Sequence, residues 1–201
     1  MIRVILADDE TLIRQALAGL MELEDDIDVV GLAASGGEAV TVARKYQPDV
    51  ALLDLQMPDL DGIDVAKVLQ EEMPSCGCVI VTSHGRPGYL KNALEAGVRG
   101  FLPKTVTASA LASAVRTVAE GGRYVDPQLA AEAIGSGDSP LTAREADVLS
   151  LASEGSPIDE IAQRAHLSAG TVRNYLSSAV AKLQVQNRHE AARKALERGW
   201  I

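Results

Sequence analysis

The stretch Val50-Ala51-Leu52-Leu53-Asp54, followed by Leu55-Gln56-Met57-Pro58-Asp59, decides how the rest of the chain is read. Its four apolar residues, bounded by Pro48 and Pro58, are too few for a helix and fit a strand buried on both faces. Asp54 then emerges at the carboxyl end of that strand, the edge of an open α/β sheet at which ligands bind.

On both sides of this stretch, short apolar runs alternate with longer amphipathic segments. Strands are expected at Val4 to Ala7, Ile27 to Ala34, Val50 to Asp54, Cys78 to Thr82 and Gly100 to Leu102. Helical patterns occupy roughly 11 to 23, 36 to 46, 62 to 72, 87 to 97 and 107 to 120. Five repeats of strand then helix predict an α/β fold with a parallel, doubly wound sheet. Ser35-x-x-Glu38 has the pattern of a capping box, and Gly97 and Gly121 stand where helix ends favour a left-handed residue.

After Gly121-Gly122 the pattern loosens. Residues 122–139 contain Pro127 and end in Gly135-Ser136-Gly137-Asp138-Ser139, a turn-forming composition that marks a linker with room for a short helix at 127–134. Residues 140–201 carry no strand signal. Thr142-x-x-Glu145 opens a helix to about Ser153, Ser156 and Pro157 cap and start a second, Ser168 caps a third to about Leu183, and a fourth spans roughly 188 to 198. Four helices, the second and third joined by a brief turn, fit a helix-turn-helix.

Composition narrows the function classes. The 201 residues suffice for one large or two small domains and, at 47% hydrophobic, can bury a core, while aromatics at 3% disfavour binding by stacking on exposed rings. Net charge is -9 and uneven: residues 1–139 hold 11 basic and 21 acidic side chains, residues 140–201 hold 8 and 7. No window approaches the roughly 18 apolar residues of a membrane span, and the first residues lack the features of a signal peptide, so the chain is read as cytoplasmic. Cys76 and Cys78, without companions at metal spacing, are read as ordinary reduced thiols.

The carboxylates carry the chemistry. Asp8 and Asp9 follow the first strand and Asp54 closes the third; in the flavodoxin-like order 2-1-3-4-5 these strands are neighbours and the three acids converge. Carboxylates gathered without a counter-charge suggest a hard cation such as Mg2+. Thr82, ending the fourth strand, offers a hydroxyl, and Lys104, after the fifth, offers a compact cation. With a phosphoryl donor neutralised and held in line, an Asp54 oxygen can attack it and form an acyl phosphate, adding roughly 1.5 to 2 negative charges. Thr82 and Lys104 would be drawn to the new oxygens, with Phe101 the aromatic packed near them. That describes a switch more than an enzyme.

Asp8-Asp9, Asp54, Met57-Pro58, Thr82, Phe101 and Lys104 together resemble the receiver domain of bacterial two-component response regulators, over residues 1–121. The resemblance implies a flavodoxin-like (βα)5 fold and Asp54 as phosphoacceptor. It also implies Asp9 and the backbone carbonyl of Gln56 as Mg2+ ligands beside Asp54, Asp8 acting partly through water, and Thr82 with Phe101 as a switch pair. One departure is that the family often has proline after the lysine, whereas here Pro103 precedes Lys104.

In the third helix of the tail, Val172, Leu176, Val180 and Leu183 form an apolar face. Arg173, Asn174 and Ser177 lie opposite, Arg suited to guanine and Asn to adenine in the major groove, while Lys182, Arg188, Arg164, Thr171 and the helix start at Ser168 could hold phosphates. Leu141-Thr142-x-Arg144-Glu145, Ser168-x-x-Thr171-Val172-Arg173-Asn174-Tyr175 and Asn187-Arg188-x-Glu190-Ala191 resemble the LuxR-type helix-turn-helix. A receiver joined to such a tail resembles the NarL/FixJ class. Arg86-Pro87-Gly88-Tyr89, the Thr171-Val172-Arg173-Asn174-Tyr175 start of the recognition helix and the Gly199-Trp200 ending are most similar to regulators of membrane-lipid desaturation within it.

The resemblance implies a DNA-binding transcription regulator, phosphorylated on Asp54 by a sensor histidine kinase, membrane-bound in that group. Its further partners would be promoter DNA, a second copy of the chain when phosphorylated, and RNA polymerase. Two other readings stay open: a Mg2+-dependent aspartyl-phosphate phosphatase, against which stands Gln56 where such enzymes resemble Asp-x-Asp, and a DNA-binding regulator that needs no phosphorylation. For the dimer surface, the helices at 11 to 23 and 107 to 120 offer Leu12, Ala16, Leu20, Leu111, Val115 and Val118, which also suit a core.

Overall fold

The computed structural model describes residues 1–83, 87–135, 139–198 and 200–201; Arg86, residues 136–138 of the expected linker and Gly199 lie outside them. The chain divides into two compact units, the second comprising Ala130 to Ile201 together with the short segment that ends at Tyr89, the first turn of the helix that starts at Pro87.

The first unit alternates β1 (Ile2–Ala7), α1 (Thr11–Met21), β2 (Ile27–Ala33), α2 (Gly36–Tyr46), β3 (Val50–Asp54), α3 (Gly62–Glu72), β4 (Gly77–Thr82), α4 (Pro87–Glu95), β5 (Gly100–Pro103), α5 (Ala108–Ala119) and β6 (Tyr124–Val125). All pairings are parallel and the sheet order is β2-β1-β3-β4-β5-β6, the flavodoxin-like order with one strand added. β3 is central. Val50 to Leu53 are at most 1% exposed, because helices cover both faces and successive side chains point to opposite ones. Val50 and Leu52 join Val4, Leu6, Val79 and Val81 in one core.

Local chemistry sets the helix ends. Ser35 accepts the Glu38 N–H, but the Glu38 carboxylate takes the Ala34 N–H, so the expected box is only half formed. Gly97 and Gly121 adopt φ of +84° and +85°, and the N–H groups of Val98 and Gly122 reach back to the Ala93 and Thr117 carbonyls, closing α4 and α5. Residues 122–139 hold more structure than their composition suggests. The two-residue β6 pairs with β5 at Gly100 and Phe101, and α6 (Pro127–Gly135) follows, its start capped by Asp126.

The second unit contains α7 (Ala143–Ser153), α8 (Ile158–Arg164), α9 (Ala169–Leu183) and α10 (Arg188–Glu197) around Val148, Leu149, Ile161, Val172, Leu176 and Ala191. Thr142 and Glu145 form the full capping box at α7. Ser156 does not cap α8: its hydroxyl goes to Glu160, and Pro157 is the N-cap, since a proline nitrogen needs no partner there. Between α8 and α9 the chain turns at His166, φ +53°, with the Leu167 N–H on the Ala162 carbonyl.

Candidate functional site

Sheet register brings the acidic residues together. Ala7 pairs with Leu53 on adjacent strands, so the next residues, Asp8 and Asp54, leave the same edge side by side. Asp54 stands opposite Val81, and Thr82 opposite Pro103, which places Thr82 and Lys104 one step further along that edge. The Lys104 N–H donates to the Thr82 carbonyl at 2.8 Å, tying the ends of β4 and β5. Pro103, the last strand residue, leaves this bond intact.

Lys104 is the hub. Its Nζ lies 2.7 Å from Asp8 Oδ2, 3.2 Å from Asp54 Oδ1 and 3.5 Å from Glu10 Oε1. The other oxygen of each buried acid accepts a backbone N–H: Asp8 Oδ1 from Glu10 at 2.9 Å, Asp54 Oδ2 from Gln56 at 3.2 Å. Asp8, Asp54 and Thr82 are 1%, 7% and 1% exposed, Asp9 more open. Burial pushes the Asp54 carboxyl up to about 6; the Lys104 charge pulls it down and the Asp8 carboxylate adds to the rise. Burial opposes the Lys104 charge as well, but the hydrogen bond to Asp8 and the charges of Asp54 and Asp8 outweigh it and hold the ammonium above the ordinary lysine range.

The donor set suits a hard cation. Oxygens of Asp8, Asp9 and Asp54 all lie within 4.8 Å of one another, so this cluster could hold a metal ion, and oxygen-only donors fit Mg2+. Both Asp8 oxygens already accept one hydrogen bond, whereas Asp9 opens toward solvent.

The loop after β3 is fixed by a close approach. A Cβ on Gly62 would lie 2.2 Å from the Asp54 carbonyl oxygen, so hydrogen alone fits there. The Gly62 N–H donates to the Leu55 carbonyl and Asp61 caps α3 through the Asp64 N–H. Phe101 is wholly enclosed, so its ring lies in the core and not on the rim of the acidic edge. Glu10 joins this edge as a residue outside the expected set, because its place directly after Asp8-Asp9 does not reveal that its carboxylate faces Lys104.

In the second unit α9 turns Arg173, Asn174 and Ser177 outward, as expected. The inward face is Val172, Leu176, Ala179 and Leu183; Ala179, in place of Val180, is the fully enclosed residue at that turn. Ser168 caps α9 through the Thr171 N–H, and the two hydroxyls are 2.8 Å apart. Two expected phosphate-holding cations are engaged within the protein. Lys182 is 2.7 Å from the buried Glu145, and Arg164 is 2.6 Å from Glu154. Arg188 opens α10 after its Asn187 cap.

One chain thus carries an acidic sheet edge with a lysine hub and, in its second unit, a helix-turn-helix. Residues 4–116 match the response regulator receiver domain, and residues 139–195 match the bacterial regulatory proteins of the luxR family. The chain belongs to the response regulators with a LuxR-type DNA-binding domain. It is 42% identical to the transcriptional regulatory protein DesR of Bacillus subtilis over the full length of both chains. It is 36% identical to the DNA-binding transcriptional activator DevR/DosR of Mycobacterium tuberculosis, covering 98% of this chain and 95% of that one. Among solved structures, the response regulator ChrA of a heme-sensing two-component system matches with a TM-score of 0.59 and 31% identity over 100% of this chain and 98% of that one. The response regulator RcsB in complex with DNA matches at 0.63 and 26% over 98% of each. Among the described residues no helix is long and apolar enough to cross a membrane.

Proposed function

We propose that this regulator takes a phosphoryl group on Asp54 from the phosphohistidine of a sensor histidine kinase in the cytoplasm, then pairs with a second copy and binds a two-part promoter site. Residues 1–121 receive, 122–139 link and 140–201 read DNA. The observation that carries this reading is the Lys104 ammonium held between Asp8 and Asp54 at the carboxyl edge of the sheet.

Asp54, Asp9, Asp8 and the Gln56 carbonyl would hold Mg2+, which when bound favours the ionised Asp54 carboxylate and offsets charge on the donor's oxygens. An Asp54 oxygen attacks the phosphorus in line, the bond to the donor breaks, and the leaving group departs with its electron pair. Lys104 supplies a fixed positive charge for the transferred oxygens. Thr82 and Phe101 form the switch: the hydroxyl turns to the new oxygens and the enclosed ring repacks with it.

In the reading domain, Arg173, Asn174 and Ser177 would face base edges, and Ser168, Thr171 and Arg188 would meet phosphates, with Lys182 seating the helix through Glu145. The tail's charge is near neutral and the receiver is acidic, so one copy attracts DNA weakly and pairing supplies the affinity. For the pairing surface, α1 fits better than α5. Leu12, Ala16 and Leu20 are exposed, Leu12 by 78%, whereas Leu111, Val115 and Val118 belong to the core.

The test is labelling by a small phosphodonor with Mg2+, followed by sizing and DNA binding. Asp54→Ala should abolish both phosphate uptake and phosphate-stimulated promoter binding. Equal promoter affinity of treated and untreated wild-type protein defeats the mechanism, and rapid hydrolysis of many phosphomonoesters favours a phosphatase.

A further inference from the structure

Glu10 occupies the N-cap of α1, a position at which Ser, Thr, Asp or Asn would normally satisfy an orphan backbone N–H, yet its side chain makes no capping bond. The carboxylate instead reaches the other way, and its Oε1 lies 3.5 Å from Lys104 Nζ. Its backbone N–H is held by Asp8 Oδ1, which fixes the residue against the acidic edge. Unlike Asp8 and Asp54, the Glu10 carboxylate stands in solvent, its side chain 63% exposed while that of Lys104 is 10% exposed. The geometry is that of a fourth negative charge on the outer rim, facing whatever approaches the buried lysine from solvent.

We infer that Glu10 is a specificity-determining residue that biases the site against small, freely diffusing dianionic phosphodonors. This rests on Asp54 being the phosphoacceptor. Two physical effects act in the same direction. The rim charge repels an approaching dianion within about one Debye length, ~10 Å at 0.1 M salt, and it competes with the incoming phosphoryl oxygens for the Lys104 ammonium. A donor presented by a docked protein is held in place by the rest of that interface, and its arrival depends less on the rim charge.

The experiment uses the full chain and compares wild type with Glu10→Gln, which keeps shape and removes charge, and with Glu10→Asp, which keeps charge. Labelling rates are measured at saturating Mg2+ with acetyl phosphate, a dianion near pH 7, and with phosphoramidate, which is mostly singly charged. Glu10→Gln should accelerate labelling by acetyl phosphate about three- to tenfold and by phosphoramidate clearly less, and the gain should shrink as salt rises from 0.05 to 1 M. Glu10→Asp should stay near wild type. Thermal melting of all three should coincide, because no capping bond is lost. Equal acceleration with both donors, a gain indifferent to salt, or unchanged rates overturns the inference while leaving Asp54 as acceptor. Failure of wild type to label with either donor overturns instead the reading on which it rests.

Discussion

Lys104 Nζ stands 3.2 Å from Asp54 Oδ1 while also holding Asp8 at 2.7 Å, so one ammonium balances two buried carboxylates. Without it, Asp8, Asp9 and Asp54 repel one another at short range. Lys104→Met should therefore lower the melting temperature in chelator and show a larger Mg2+-induced rise than wild type, because the cation replaces lost positive charge. Labelling of Asp54 should fall by about tenfold or more, equivalent to ~1.4 kcal/mol of barrier. An identical Mg2+ response in the two proteins would mean that Lys104 does not balance the site.

Gly62 and Gly19 make opposite expectations from the same substitution. A methyl at Gly62 meets the Asp54 carbonyl oxygen at 2.2 Å, a backbone atom that cannot swing aside, so Gly62→Ala should cost about 1 to 3 kcal/mol and slow labelling of Asp54. Gly19 lies within α1 with nothing within 4 Å of the added carbon, and Gly19→Ala should gain about 0.5 to 1 kcal/mol from helix propensity. Denaturant midpoints distinguish the pair.

The reading unit should weaken in acid through Glu145. Burial raises its carboxyl, but hydrogen bonds from Lys182, Ser178 and the Thr142 N–H prevail, and the folded-state value lies below the usual 4.5. A lowered acid contributes stability above its unfolded pKa and loses it as pH falls through the folded value. Trp200, the sole tryptophan, packs on this unit's core, so its fluorescence can follow unfolding from pH 7 to 3. Glu145→Gln should be less stable at pH 7 and lose less on acidification; parallel curves would remove Glu145 as the cause.

Leu12 is exposed, so Leu12→Asp should change monomer stability by no more than about 0.5 kcal/mol. If α1 forms the pairing surface, the labelled variant elutes as a monomer where labelled wild type elutes as a dimer. A variant dimer as stable as wild type moves the interface elsewhere.

Arg173→Ala should reduce binding to the specific promoter by about 1 to 3 kcal/mol and relax preference at one base pair. Uniform weakening on all sequences, with a shallower salt dependence, would make Arg173 a phosphate contact.

The central strand and the acidic edge were legible because they follow from local rules. Val50 to Asp54 is a short apolar run ended by prolines, and once the strand order is known, Asp8 and Asp54 must leave the sheet together. Ser168, Thr142 and Gly121 announce helix ends by chemistry that acts within a turn. What escaped depends on contacts distant in sequence. β6 forms from Tyr124 and Val125 only because β5 presents an open edge, which a two-residue run cannot signal. Lys182 and Arg164 looked like cations available to DNA, yet Glu145 and Glu154 claim them from 37 and 10 residues away. Ala179 outranks Val180 in burial because the angle of the helix, not side-chain size, decides which residue meets the core. Glu10, an acid after two acids, reads as more of the same until its direction is known.

The Glu145 carboxylate serves the start of α7 and, through Ser178 and Lys182, the flank of α9 at once. An uncharged residue in place of Glu145 would remove the carboxylate that Lys182 meets at 2.7 Å, so a change at one of these positions bears directly on the other. Among the described residues no such bond restrains Arg173 and Asn174, so an exchange there would leave the joint between α7 and α9 untouched.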